Sequence, residues 1–284
     1  MKKVVSCFVN GYYYNQFLVM YKSYIYYGNT VQFRVYDWDR NNPLTQQGID
    51  YLKAIGVEVV RVDVGDWDKN LYILQYGFKW KGLIESDATY EILVDADTLF
   101  LDNIEELFQQ IQVYDFIVVP EMHRNIDDEA IRVGDLFNIG FFVVNHRAKD
   151  YLRESVEMLK ADKTRLEMES LCEILKGKDN VYELPWEEYM HLWQNHKAVK
   201  KSLVIEEGKP KIILEDGRSM KFYHFTTMID PYKDSLINRL NVEEKTAVRM
   251  WVKRHNNPAV FIYEYFKNAE EFNTLKETIE SWKV

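Results

Sequence analysis

Residues 90–100 read YEILVDADTLF, a short apolar run that leads directly into Asp95-Ala96-Asp97. A continuous apolar run of this length is typical of a strand buried on both faces of a parallel sheet. Residues two apart in an extended chain point to the same side, so both carboxylates can converge. They would repel each other unless a cation such as Mg²⁺ or Mn²⁺ lies between them. The stretch therefore predicts a divalent metal site, with a solvated, helix-capping loop as the alternative interpretation.

The residues before this strand alternate between apolar runs and helical spacing. Strands are predicted over Val4–Val9, Val31–Tyr36 and Val57–Asp63. Helices are predicted between them, over Gln16–Tyr27, Pro43–Ile55 and Gly77–Asp87. Because parallel strands need crossover connections, this order predicts an α/β fold whose mixed, mostly parallel sheet is flanked by helices. In such a sheet, ligands bind where the carboxyl ends of the strands meet.

After residue 100 the pattern becomes mixed. Further strands are predicted over Phe116–Val119, Gly140–Asn145, Lys211–Leu214 and Lys221–His224. Further helices are predicted over Asn103–Gln112, Arg147–Leu159 and Arg165–Leu175. Pro120–Leu136 reads as a polar loop, and residues 178–220 read as largely irregular. Beyond Pro231 the spacing is amphipathic and helical, with Trp251, Phe261, Tyr265 and Trp282 as expected anchors. We therefore expect a catalytic domain over 1–230 and a helical C-terminal extension over 231–284.

Composition and charge exclude several classes of protein. The chain has 284 residues, is 47% hydrophobic and carries a formal net charge of −9. It can bury a large core, and its acidity argues against nucleic-acid binding, which depends on neutralising phosphates. Two cysteines, Cys7 and Cys172, cannot form a disulfide framework or a Cys-based zinc site. The run Val4–Val9 is too short for a signal peptide, and no run approaches a membrane span, so we expect a cytoplasmic protein without a transmembrane segment.

Three segments together resemble one enzyme family. They are YEILVDADTLFLDNIEELF (90–108), FNIGFFVVNHRAKDYL (137–152) and KFYHFTT (221–227). In order and rough spacing they are similar to the Asp-x-Asp, Phe-Asn-x-Gly and His-Phe segments of GT-A fold glycosyltransferases. The similarity is to the retaining family 8 group, which includes galactosyltransferases and glycogenin. It covers roughly residues 1–230 and implies a GT-A, Rossmann-like fold.

The resemblance implies a metal centre made of Asp95, Asp97 and His224. In such enzymes these residues hold Mn²⁺, or Mg²⁺, which bridges the diphosphate of a nucleotide sugar. Carboxylate and imidazole both suit Mn²⁺. His224 enters the ligand set through the resemblance alone, because a single histidine is usually structural or solvated.

The resemblance also implies a set of donor-binding residues. They are Asn10, Tyr12, Asp37, Lys81, Ala96, Asn138, Gly140 and Lys233. An acid such as Asp37 at the end of a strand can accept hydrogen bonds from a base or ribose. Lys81, with Lys79 beside it, lies where many of these enzymes carry a basic residue, although both lysines also read as solvated helix positions. Gly140 would let the backbone pass close to a sugar ring, or would mark a bulge.

The reacting carboxylate is expected in the stretch TRLEMESLCEIL, at Glu167 or Glu169. Met168 stands where the family has a glutamine, and Glu167 also completes a Thr164-x-x-Glu167 capping box, which is a structural device. The chain departs from the family again after His224. Thr227 replaces an expected glycine, and Lys233 lies later than the usual phosphate-binding lysine.

These residues favour a metal-dependent glycosyltransferase that moves a sugar from a nucleoside diphosphate donor to a hydroxyl acceptor. The resemblance implies that the nucleotide is UDP and that the transfer proceeds with retention. A non-catalytic carbohydrate-binding or scaffold protein on the same fold is the main alternative. A sugar-nucleotide pyrophosphorylase is less favoured, because NGYYYNQF (10–17) lacks the Gly- and Arg-rich loop it needs. The apolar positions of the extension fit packing on the domain, dimer formation or membrane contact, and its mixed charges disfavour the last.

Overall fold

The structure is a computed structural model of the chain. It describes residues 1–38, 42–63, 72–120, 137–162, 167–191, 201–206 and 209–225, together with Ala259, Ile262, Tyr263, Phe266 and Lys267. The predicted polar loop after Pro120, Lys233, Thr164, Thr227 and the expected anchors Trp251, Phe261, Tyr265 and Trp282 lie outside these residues.

Twelve strands and six α-helices lie within the described residues. The strands are β1 (Lys3–Phe8), β2 (Phe33–Trp38), β3 (Glu58–Val62), β4 (Tyr90–Val94), β5 (Thr98–Phe100), β6 (Phe116–Pro120), β7 (Phe137–Asn145), β8 (Val181–Glu183), β9 (Tyr189–His191), β10 (Lys201–Glu206), β11 (Lys209–Leu214) and β12 (Phe222–His224). The helices are α1 (Tyr14–Tyr26), α2 (Gln46–Ala54), α3 (Tyr72–Glu85), α4 (Leu107–Gln110), α5 (Lys149–Ala161) and α6 (Glu167–Leu175).

The chain divides into two compact units. The first consists of Met1–Gly11, Val31–Asp95 and Glu105–Trp186, and the second of Tyr12–Thr30, Ala96–Ile104 and Glu187–Val284. The second unit therefore includes residues on both sides of position 230, where the sequence predicts a domain boundary.

The first unit is built on a seven-stranded sheet in the order β3-β2-β1-β4-β7-β6-β8. Strands β3, β2, β1 and β4 are parallel, which confirms the predicted α/β fold with its mostly parallel sheet. Strand β7 is antiparallel to both of its neighbours, and Phe141 pairs with Val94 at the carboxyl end of β4. The first residues of β7 therefore lie beside the residues that follow β4.

The core of this unit lies between the sheet and the helices α3, α5 and α6. Trp80 of α3 is fully buried and its ring meets Phe142 of β7 at 5.6 Å. Gly82, also in α3, lies so close to the sheet that a Cβ there would be 2.8 Å from Cζ of Phe8. The absence of a side chain at this position lets α3 pack directly on β1 and β2.

The second unit contains α1 and two small sheets, ordered β5-β12-β9 and β10-β11. Helix α1 packs on β5, where the Phe100 N–H donates to Oγ of Ser23 at 3.0 Å. In the three-stranded sheet, β12 is antiparallel to β5, with His224 opposite Thr98. This pairing brings a strand from late in the chain beside the residues that follow Asp97.

Several elements differ from the sequence-based expectation. The short strands β5, β8 and β9 and the hairpin strand β10 were not expected, and three of these four have only three residues. Helix α3 begins earlier than the predicted Gly77, and α4 is shorter than the predicted Asn103–Gln112. Among the described residues, none of the helices has the length and apolarity needed to cross a bilayer.

Candidate metal and donor site

The acidic pair is held between two strands. Asp95 directly follows β4, and its N–H donates to the Gly140 carbonyl of β7 at 2.9 Å. Asp97 directly precedes β5, and its carbonyl accepts from the Phe225 N–H at 2.9 Å. The backbone of both aspartates is therefore fixed by hydrogen bonds before any ligand arrives.

His224 lies at the end of β12, beside Asp97. Its Nε2 is 3.3 Å from Oδ1 of Asp97, and both side chains are almost fully buried. Asp95, Asp97 and His224 each offer one ligand atom, and these three atoms lie within 4.8 Å of one another. The three residues predicted to form a metal centre thus come together in the fold.

One distance within this group is close to the spacing of ligands around a divalent cation. An octahedral ion with ligands at about 2.1 Å places adjacent ligand atoms about 3 Å apart. The 3.3 Å between Nε2 of His224 and Oδ1 of Asp97 is close to this value. Two carboxylates and an imidazole form a mixed oxygen and nitrogen donor set, which suits Mn²⁺. These side chains could therefore hold such an ion.

A buried lysine neutralises one of the aspartates. Nζ of Lys79 is 2.6 Å from Oδ1 of Asp95, and only 7% of Lys79 is exposed. Lys81 is placed differently: its ammonium group donates to the carbonyl of Asp63 and lies 3.7 Å from Glu85. Lys81 is the predicted donor-binding residue, whereas Lys79 is the lysine that contacts Asp95.

The two glutamates proposed as reacting groups open helix α6. Glu167 is 8% exposed, and its burial raises the pKa of the carboxyl to about 7, with Lys79 opposing the shift and Asp95 and Glu169 adding to it. The electrostatic interactions place Glu167 near Lys79 and Asp95. Glu169 is half-buried. The structure therefore distinguishes the two: Glu167 belongs to the acidic cluster and holds its proton unusually well.

The start of β7, next to Asp95, is held by a side-chain hydrogen bond within the strand. Oδ1 of the buried Asn138 accepts a hydrogen bond from the Gly140 N–H at 2.7 Å. The pairing of β6 with β7 changes register between Val118 and Val119, so a bulge lies at this point. Bulges often redirect side chains beside active sites. The change of register agrees with the bulge reading of Gly140, and its close approach to a sugar ring stays a prediction.

The carboxyl end of β2 is organised by a buried aspartate. Asp37 is fully buried; its Oδ1 accepts from the Leu44 N–H at 3.0 Å and its Oδ2 from Nε of Arg61 at 3.0 Å. Its carboxylate thus holds the segment around Leu44. The sequence predicts base or ribose binding for Asp37 and gives no sign of this structural contact. That segment places Asn42 against Gly11, whose N–H donates to the Asn42 carbonyl at 2.7 Å. No sequence motif marks Asn42, so its contact with Gly11 could not be predicted.

The remaining donor-binding candidates lie near the ends of β1 and β4. Asn10 is buried just beyond the end of β1, and Tyr12, which precedes α1, is 48% exposed. Ala96 is buried between the two aspartates, with 4% of its surface exposed. A role of Tyr12 in binding the donor stays a prediction.

Comparison with known proteins gives matches in structure only. No family model and no curated protein sequence matches the chain. A crystal structure of an active-site mutant of LgtC superposes with a TM-score of 0.57 at 14% identity, covering 87% of this chain and 95% of that chain. The galactosyltransferase LgtC in complex with donor and acceptor sugar analogues gives a TM-score of 0.57 at 14% identity, over 86% and 94% of the two chains. The glycosyltransferase GlyE of Streptococcus pneumoniae TIGR4 gives 0.56 at 11% identity, over 94% of this chain and 63% of its own. The chain therefore has the GT-A fold of these glycosyltransferases.

Proposed function

We propose that this protein is a metal-dependent glycosyltransferase. It would transfer a sugar from a nucleoside diphosphate donor, UDP-linked by resemblance, to a hydroxyl acceptor such as a glycan, with retention at the anomeric carbon. The observation that carries the proposal is the convergence of Asp95, Asp97 and His224 at the end of a buried strand in a GT-A fold. The LgtC structure with donor and acceptor sugar analogues supports the substrate classes.

The reaction replaces one bond at the anomeric carbon by another. The bond to the diphosphate oxygen breaks, the bond to the acceptor oxygen forms, and the acceptor proton leaves to the diphosphate or to solvent. When bound, a divalent cation would neutralise the charge that develops on the departing diphosphate. Asp95, Asp97 and His224 are the residues that would hold it.

The chain's own groups around Asp95 would bind and orient the sugar. The Lys79 ammonium group partly neutralises the charge of Asp95, so it lowers the repulsion between the two carboxylates. Its N–H groups could also donate hydrogen bonds to oxygen atoms of the sugar nucleotide. Glu167 holds its proton up to about pH 7, and a protonated carboxyl can both donate to and accept from sugar hydroxyls. Asn138 and Gly140 would line the path of the sugar along the start of β7.

The test is nucleotide release from UDP-, GDP- and dTDP-sugars with Mn²⁺, Mg²⁺ or EDTA. We expect metal-dependent release from one donor class. The double variant Asp95→Asn, Asp97→Asn should lose both transfer and donor hydrolysis. Asp50→Asn changes an exposed aspartate on α2 that accepts a hydrogen bond from Gln46; it is the matched control and should keep wild-type activity. Full activity of the double variant would defeat the proposed metal role.

The non-catalytic alternative makes a different prediction for the same assays. Two sequence features favour it: Met168 replaces the family's glutamine, and the segment after His224 departs from the family's pattern. A carbohydrate-binding scaffold would release no nucleotide from any donor, and its calorimetric binding of UDP would be absent or the same with Mn²⁺ and with EDTA.

A further inference from the structure

Four residues from the C-terminal part of the chain belong to the core of the second unit. Ala259, Ile262, Tyr263 and Phe266 are helical, and each is at most 2% exposed. Their spacing of three, four and seven positions places them on one face of a helix. This face, which lies in the predicted C-terminal extension, is thus buried as deeply as the strands of the unit.

One end of this face is attached to helix α1. The Phe266 ring meets Tyr26 edge-on at 5.3 Å and Tyr27 at 6.5 Å. Nζ of Lys22 also donates to the Phe266 carbonyl at 3.3 Å. Phe266 therefore fixes the segment to a helix, through contacts that involve neither Asp97 nor His224.

The other end of the face reaches the residue that follows His224. The Tyr263 ring meets Phe225 edge-on, with centroids 5.2 Å apart and planes at 68°. Phe225 is 1% exposed and also meets Tyr223 at 4.8 Å. Its N–H donates to the Asp97 carbonyl at 2.9 Å. Phe225 thus donates a backbone hydrogen bond to Asp97 and directly follows His224 in the sequence. Its ring packs against Tyr263.

We propose that Tyr263 is a positioning residue for the metal centre. Its ring holds Phe225 in place, and Phe225 in turn holds the Asp97 backbone and the end of β12 so that His224 faces Asp97. Groups behind metal ligands tune affinity because they fix the ligands before the ion binds. The inference rests on the proposed function and deepens it, since it makes the C-terminal segment part of the metal site.

The test measures Mn²⁺ binding directly, by the electron paramagnetic resonance signal of free Mn²⁺, in full-length protein without substrate. Tyr263→Leu should bind Mn²⁺ about three- to tenfold more weakly, in proportion to the loss of an edge-to-face aromatic pair. Tyr263→Phe keeps the ring and should bind within about twofold of wild type. Phe266→Leu removes a ring of equal burial from the same face, and should also stay within about twofold.

Urea unfolding of each variant ensures that only folded protein is compared. If Tyr263→Leu is unfolded, Tyr263→Met, whose longer and more flexible side chain can adapt to the space, takes its place and should show the same weakening. If Tyr263→Leu binds Mn²⁺ as tightly as wild type, this inference is overturned and the proposed function is not. The same holds if Phe266→Leu weakens Mn²⁺ binding as much as Tyr263→Leu does. Absence of Mn²⁺ binding by the wild-type protein would overturn the proposed metal role as well.

Discussion

Lys79 and Lys81 are close in the sequence but make different contacts in the structure. They are two positions apart in α3, so they point to nearly opposite sides of the helix. Lys79 is buried against Asp95, while Lys81 contacts the Asp63 carbonyl and Glu85. The sequence of α3, YILQYGFKWKGLIE, is apolar on most sides, so its hydrophobic pattern does not reveal which lysine faces inward.

Replacing Lys79 tests the balance of charge in the site. In Lys79→Met, Asp95 no longer pairs with an ammonium group, so both of its oxygens can bind a metal ion. The repulsion between the ammonium group and the ion is also lost. We expect Mn²⁺ to bind roughly tenfold more tightly in the absence of nucleotide. The same Mn²⁺ titration applied to Lys81→Met, the matched control, should give the wild-type affinity. Weaker Mn²⁺ binding in Lys79→Met would mean that Lys79 supports the ligands instead of competing with the ion.

Glu167 makes stability depend on pH in the metal-free protein. Burial raises its pKa from 4.5 to about 7, so the folded state binds a proton that the unfolded state releases. Its contribution to stability is therefore complete below pH 4.5 and is lost as the pH rises through 7, by about 3 kcal/mol at most. Urea unfolding in EDTA at pH 5 and pH 8 should show this loss in wild type. Glu167→Gln should show less of it, and identical pH profiles would contradict the assignment.

Single residues were predictable to the extent that a local pattern marked them. Asp95 and Asp97 could be found because an apolar strand ends in an Asp-x-Asp sequence, whose geometry is fixed by the extended chain. His224 needed the family resemblance, since its partner is distant in sequence. The contacts of Asp37 could not be predicted from a local pattern. Arg61 approaches Asp37 because β2 pairs with β3, and Leu44 approaches it because the chain turns back after β2.

At the scale of elements, the direction of β7 decides which residues meet. The run GFFVVN reads as a strand in either direction, and no sequence signal states that it enters the sheet antiparallel. Since it does, its first residues, Asn138 to Gly140, lie at the carboxyl end of β4 beside Asp95. The three-residue strands β5, β8 and β9 are too short to show an alternation, so periodicity cannot predict them.

The close packing of α3 on β1 and β2 can be tested at Gly82. Alanine there would favour the helix by about 1 kcal/mol, but its Cβ would meet Phe8 and Tyr36 inside a packed core. Overpacking costs about 1–3 kcal/mol, so we expect a net loss of about 1 kcal/mol in the free energy of unfolding. In a Phe8→Leu background the shorter side chain makes room, and Gly82→Ala should then be less harmful. Equal losses in both backgrounds would refute the close contact.

For the whole molecule, the main finding is that two compact units are each assembled from separate stretches of chain. The second unit joins Tyr12–Thr30, Ala96–Ile104 and Glu187–Val284. The sequence predicts a boundary near residue 230, because the family resemblance ends there. Burial of Tyr263 and Phe266 against Phe225, Tyr26 and Tyr27 is invisible in the sequence, since aromatic residues at helical spacing do not name their partners.

Truncation at residue 230 tests this interleaving. It would remove the buried side chains of Ile262, Tyr263 and Phe266 and expose the surfaces they cover. Burial of each is worth about 1.5–3 kcal/mol, so the sum approaches the total stability of many domains. We expect the truncated chain to unfold at much lower urea concentration and to bind the dye ANS. A truncated chain as stable as the full one would support an independent domain over 1–230.

The interleaved order also has a consequence for how the protein is made. During translation Asp95 and Asp97 leave the ribosome long before His224, and His224 before Tyr263. Under the proposed metal role, the nascent chain would lack one of the three ligands until His224 emerges, and Tyr263 would follow later still. The complete ligand set would then exist only after most of the chain has been synthesised, so the ion would be bound late in synthesis or after it.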